Sequence, residues 1–129
     1  MLTREQIFAA FAVDIATAND RLGKAEVLSI YTVAKACRVN FDTAMEACRK
    51  ELKNRSDIKA LAKQMTNLDK KFAIDISVQI SVADGNITLQ ELQTVHYYSQ
   101  VLKMDSSIVT TQYLKQLRKK PSLNYIDIE

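Results

Sequence analysis

Residues 15–40, IATANDRLGKAEVLSIYTVAKACRVN, lie over residues 80–105, ISVADGNITLQELQTVHYYSQVLKMD, at a constant offset of 65. Few letters are identical, but the physical roles coincide. Ile15 meets Ile80 and Ala18 meets Ala83 near a helix end, and Asn19 meets Asp84 in a turn. Leu22 meets Ile87, Glu26 meets Glu91, and Val27 and Ile30 meet Leu92 and Val95 on an apolar stripe. Asn40 meets Asp105, both suited to cap a further helix. We read this register as a duplicated three-helix unit.

Two glycines and one proline are all that interrupt 129 residues, which favours long helices and excludes a turn-rich β fold. Thr3 and Gln6 have the spacing of a capping box, and Phe8, Phe11, Ile15 and Ala18 follow as one apolar stripe. After the turn at ANDRLG a second helix is expected over about 24–37, with Val27, Ile30, Tyr31 and Ala34 facing inward. A third is expected over about 42–53. Ser56 is placed to cap a short helix carrying Ile58, Leu61, Ala62 and Met65. Thr66 and Asp69 form another box and should mark a break, before a helix with Phe72, Ile76, Ile80 and Ala83 that stops at Gly85. Thr88 and Glu91 open a helix over about 89–102, and Asp105 or Ser106 opens the last, about 107–120, which Pro121 ends.

The expected fold class is therefore all-α: a compact bundle of six or seven helices in two pseudo-repeated three-helix units. The units span about 3–54 and 67–120, with a linking helix at about 56–65. The expected core is Phe8, Phe11, Ile15, Val27, Ile30, Leu61, Phe72, Ile76, Ile80, Leu92, Val95 and Leu102. The tail, PSLNYIDIE at 121–129, either docks on its own bundle or pairs with another chain.

Several function classes drop out. No apolar run approaches the roughly 20 residues of a membrane span. The first residues, MLTREQIFAAFAVD, carry Glu5 and Asp14 in place of an unbroken apolar signal core, so a cytoplasmic protein is expected. Cys37 and Cys48 lie far apart without a CxxC pair and read as two buried thiols. His96 is the only histidine; no Ser/His/Asp set forms around it, and there is no glycine-rich phosphate loop. An enzyme is not expected.

The net charge of +3 is unevenly spread. Arg49, Lys50, Lys53, Arg55, Lys59, Lys63, Lys70 and Lys71 crowd one stretch, opposed only by Glu51, Asp57 and Asp69. This is either a solvated face or a contact for nucleic acid, a membrane surface or an acidic partner. No aromatic residue is interleaved before Phe72, which argues against base stacking and leaves nucleic acid the weaker option.

The stretch DGNITLQE at 84–91 suggests the back half of a calcium-binding EF-hand loop. With Gly85 at position 6 and Glu91 at position 12, positions 1 and 3 fall on Ile80 and Val82, and in the first copy on Ile15 and Thr17. Calcium needs oxygen ligands there, so this is not an EF-hand. Glu91 sits at N3 after Thr88, where a cap is sufficient cause for it, and Glu26 holds the matching place. Asp84 stands at the dipole-disfavoured end of its helix, with Asp20 near the equivalent end. Asp84 and Glu91, with Asp20 and Glu26 second, thus form either plain turn chemistry or small oxygen clusters for a divalent cation, Ca²⁺ or Mg²⁺ rather than Zn²⁺. Asp14 and Asp75 face elsewhere and enter neither cluster.

In Ala83, Asp84, Gly85, Ile87, Thr88 and Glu91 the chain resembles the tellurite-resistance TerB-like family. A weaker copy matches at Ala18, Leu22 and Glu26, with Asp20 at the glycine position and Asn19 replacing the acid. The resemblance implies an all-helical fold of two related units and a non-enzymatic role in stress responses, with a divalent metal at the turns. A similar helical domain stands at the N-terminus of a membrane co-chaperone, which implies instead metal-independent binding of a protein partner, one that can be membrane-associated.

Overall fold

The computed structural model describes residues 2–17, 24–83, 85–119 and 124–126, with 24–26 and 124–126 described by backbone alone. Among these residues seven helices follow in order: α1 (Arg4–Ala16), α2 (Lys24–Ala36), α3 (Phe41–Lys53), α4 (Ile58–Ala62), α5 (Asn67–Val82), α6 (Leu89–Val101) and α7 (Ser107–Lys119). Two three-residue strands, β1 (Asn86–Thr88) and β2 (Asn124–Ile126), pair in parallel with Ile87 opposite Tyr125. The protein is an all-α bundle. Among the described residues, no helix is long and apolar enough to cross a membrane.

Side chains close most of the helix starts. Thr3 Oγ1 accepts the Gln6 N–H at 3.1 Å while Gln6 Oε1 accepts the Thr3 N–H at 2.8 Å, and Thr66 with Asp69 repeats the device at α5. Asn40 caps α3 through the Thr43 N–H, and its own N–H donates to Glu5, joining the starts of α3 and α1. The cap of α4 differs from the sequence expectation. Ser56 donates through both N–H and Oγ to Glu51, so Asp57 accepts the Lys59 N–H and caps the helix instead.

Two helices make the centre. α1 packs on α3 and α5, and α5 also meets α2, α6 and α7. Nine of the thirteen α1 residues are buried, from Ile7 onward with only Asp14 excepted, where a single stripe was expected. The four alanines of FAAFAVDIA explain this, since small side chains let neighbouring helices close on every face. α5 is similar, with Ala73, Ile74, Ile76, Ser77, Val78, Ile80, Ser81 and Val82 buried. Its serines find partners: Ser77 donates to the Ala73 carbonyl, and Ser81 shares a hydrogen bond with Tyr113 of α7 at 2.9 Å.

Of the expected core, Phe8, Phe11, Ile15, Ile30, Ile76, Ile80, Val95 and Leu102 are buried. Leu61, Phe72 and Leu92 are half-buried, Phe72 beneath the Arg4 guanidinium at 3.8 Å from its ring centre. Val27 and Tyr31 are exposed, correcting the inward face assigned to α2. That helix is covered on one side only, and the covered residues are Ser29, Ile30, Val33 and Ala34, with Cys37 just beyond its end. Cys37 and Cys48 are free and buried, and loss of water pushes their thiols up to about 11 and about 12, away from reactive thiolate.

Among the described residues three adopt positive φ: Gly85 at 86°, Arg38 at 57° and Lys103 at 56°. Space around Gly85 is open, so its glycine answers to backbone angle rather than to crowding. Arg38 and Lys103 stand just past α2 and α6, helices that begin 65 positions apart at Lys24 and Leu89.

Candidate functional site

Of the four turn acids, the structure describes the side chain of Glu91 only. Asp20 and Asp84 lie outside the described residues, and of Glu26 only the backbone is described. Glu91 Oε1 accepts the Thr88 N–H and hydroxyl, both at 3.0 Å, and the Glu91 N–H donates to Thr88 Oγ1 at 3.1 Å. This is a complete capping box. Ile80 and Val82 are buried on α5, so the first two EF-hand positions are core residues in fact. Among the described residues no group of three His, Cys, Asp or Glu side chains converges. The one described carboxylate of the set engages the helix start through its Oε1.

That assignment predicts a substitution pattern. Gln6 performs the same task at α1, so an amide suffices. Glu91→Gln should lower stability by less than about 0.5 kcal/mol, while Thr88→Ala should lower it by about 1 kcal/mol. Urea unfolding of both variants, with and without Ca²⁺ or Mg²⁺, is the measurement. A cation-induced stabilisation that Glu91→Gln abolishes would identify a ligand instead.

The basic residues divide among several local environments. Arg49 pairs with Glu46 at 2.6 Å on exposed α3, and Lys50 and Lys53 occupy the last turn of that helix, where cations suit its dipole. Arg55 donates to Asp14 at 2.5 Å. Lys59, Lys63 and Lys70 meet Lys103, which is remote in sequence, around one depression. Lys71 joins Lys70, Lys103 and Asp105 at an adjoining hollow and also lines one with Asp75, Lys115 and Lys119. His96 is half-buried on α6 and stands in none of these groups.

Asp14, left out of both turn clusters in the sequence, has a carboxylate that bridges distant parts of the chain. Besides Arg55 it accepts a short hydrogen bond from the Tyr98 hydroxyl of α6, and Tyr98 is fully buried. Burial, together with the negative charge of Asp14, pushes the Tyr98 phenol far above its ordinary range. One carboxylate thus ties α1 to α6 and to the loop before α4. A lone acid inside FAAFAVDIA was the available signal.

A further depression lies between α2 and α3. It encloses about 650 Å³ and is lined by Leu28, Tyr31, Thr32, Lys35, Phe41, Asp42, Met45, Glu46 and Arg49. Leu28 is 63% exposed, and Tyr31 stacks on Phe41 with ring centres 5.5 Å apart. Lys35 lies over the other aromatic partner, 5.7 Å from the Phe41 ring centre. The apolar lining continues past Tyr31 to Val27 and Leu52, both exposed. Lys35 and Arg49 against Asp42 and Glu46 give the rim both signs of charge. The periodicity of α2 does not show this, because Tyr31 reads as inward-facing, Arg49 belongs to the basic run, and Leu28, Thr32 and Lys35 carry no assignment.

No family model, curated protein or solved structure matches this chain.

Proposed function

We propose that this chain is a non-enzymatic, TerB-like interaction module of the cytoplasm, which holds an amphipathic helical segment of a partner protein in the α2–α3 groove without needing a metal. The observation that carries the reading is the row of exposed Leu28 and Tyr31 beside half-buried Phe41, with buried Met45 in the same lining. An exposed leucine beside a stacked aromatic pair is poor design for a surface that only meets water. The size suits the occupant. Each flanking helix has thirteen residues and is roughly 20 Å long, room for three to four turns of a guest helix. Lys35 and Arg49 on one hand and Asp42 and Glu46 on the other can pair with charges flanking the guest's apolar stripe. The capping duty of Glu91 favours this metal-independent reading over one that depends on a cation at the turns.

The test needs no knowledge of the partner. Random helical peptides are selected on the full chain and the survivors mapped by amide chemical shifts. Selected peptides should carry apolar residues three and four apart and should move the resonances of Leu28, Tyr31, Phe41 and Met45. Leu28→Asp should weaken them by roughly thirtyfold, as expected for a central apolar contact. Peptides that map to another face, or bind Leu28→Asp unchanged, would refute the groove. Self-association abolished by Leu28→Asp would make a second copy the occupant.

A further inference from the structure

We infer that Lys59, Lys63, Lys70 and Lys103 form a binding site for a phosphate-bearing anion, separate from the α2–α3 groove. The four line a depression of about 430 Å³ whose remaining walls are Ala62, Met65 and Val101. They come from three places in the chain. Lys59 lies on α4 and Lys63 caps its end, Lys70 is in the first turns of α5, and Lys103 follows α6. No acid lines the depression. The ion pairs of the described residues use Arg49 and Arg55 and leave these four lysines without a carboxylate.

Four lysines around one depression with no acid in its lining favour an anion there, and the nearest acid, Asp105, lines the adjoining hollow that Lys70 and Lys103 share. Lys103, like Arg38 after α2, stands at a positive φ. It holds the left-handed position of a complete helix stop, in which the Met104 N–H donates to the Ser99 carbonyl at 2.9 Å and the Lys103 N–H to the Gln100 carbonyl at 3.1 Å. Glycine is the ordinary residue there, because a Cβ is strained at φ 56°. The dipole of α6 favours some cation at this end, but it gives no reason for three further lysines to converge on it.

The shape narrows the ligand. The site is concave with an apolar floor, and Met65 in that floor is buried, so a compact, multiply charged head on an apolar body fits better than an extended strand. No aromatic side chain lines it to stack a base. The shared chemistry is a phosphate monoester or diphosphate group. Its source is either a soluble phosphorylated molecule or a lipid headgroup.

The experiment titrates inorganic pyrophosphate into the full chain at low ionic strength, with vesicles of phosphatidylcholine alone or mixed with phosphatidic acid as the second arm. Three variants accompany it: Lys103→Gly, Lys59→Gln with Lys63→Gln, and Lys50→Gln with Lys53→Gln as a control of equal charge change. Lys103→Gly should raise the unfolding midpoint by removing the backbone strain, and yet weaken the anion roughly tenfold, a pairing that misfolding cannot produce. The Lys59/Lys63 variant should weaken it at least as much, and the control should leave it unchanged. Pyrophosphate binding without vesicle binding assigns a soluble ligand, and vesicle binding that needs both phosphatidic acid and Lys103 assigns a headgroup. Absence of binding in both arms, or equal loss in the control, overturns the site. Tight binding of single-stranded polynucleotide that the control variant abolishes would also overturn it, by spreading the contact over the whole basic run.

Discussion

Phe11→Ala should lower the unfolding free energy by about 3–5 kcal/mol, the largest single effect expected in this protein. Phe11 is fully buried near the middle of α1, the helix that packs on α3 and α5 and touches α6. Its ring meets Tyr98 edge-on, with centres 5.1 Å apart and planes at 85°, a geometry that adds about 0.5–1.5 kcal/mol beyond the buried area. Truncation leaves a hole that cannot collapse, because the adjacent residues Ala10, Ala12 and Val13 are buried and small already. A domain of ordinary stability, about 5–15 kcal/mol, would be left marginal. Phe11→Leu keeps most of the volume and should lose roughly half as much or less. Urea unfolding followed by circular dichroism reads both. A loss under about 1 kcal/mol for Phe11→Ala would mean that α1 is not the central helix. Leu28→Ala, on the exposed groove, should stay within about 0.5 kcal/mol, which separates residues that hold the fold from residues offered to a partner.

Asp14→Ala should cost about 2–3 kcal/mol, although Asp14 is the one α1 residue after Glu5 and Gln6 that is not buried. The reason lies with its partner. Removing the carboxylate leaves the Tyr98 hydroxyl inside the bundle with no acceptor, so the full price of desolvating it appears. Tyr98→Phe removes donor and demand together and should cost less, about 1–2 kcal/mol, because Asp14 keeps Arg55 and some water. Arg55→Gln should cost under about 1 kcal/mol, since its side chain is 41% exposed and the carboxylate it meets is 32% exposed. The double variant Asp14→Ala with Tyr98→Phe should then be little worse than Asp14→Ala alone, a coupling of about 1 kcal/mol or more in the cycle. If Arg55→Gln proves as damaging as Asp14→Ala, the ion pair and not the phenol governs the node. Simple additivity would remove the node altogether.

These two residues show where a sequence is legible. Every helix start that depends on an i, i+3 exchange could be read in advance: Thr3 with Gln6, Thr66 with Asp69, Thr88 with Glu91. Capping is a local negotiation between a side chain and the nearest free N–H groups, so the letters carry it. Even there, competition escaped notice, as when Glu51 took the Ser56 hydroxyl and passed the cap to Asp57. The turn acids are a different case. Their pattern is plain in the letters, but Asp20 and Asp84 lie outside the described residues, and Glu91 is accounted for by its cap.

By itself, then, the sequence determined the helical class, the helix starts and the absence of an EF-hand, because periodicity, scarce glycine and proline, and short-range capping act within a turn or two of chain. The tertiary structure alone decided which helices sit at the centre, since α1 is buried from Ile7 onward save Asp14 and α5 buries eight residues, where one apolar stripe was legible. It alone turned Val27 and Tyr31 outward, brought Lys103 to Lys59, Lys63 and Lys70, and set Tyr98 against Asp14 across 84 positions. It also laid β2 beside β1, giving the tail backbone partners within its own chain. Contacts between distant segments depend on how whole helices pack, and packing is settled by the sum of many faces rather than by the residues that happen to meet.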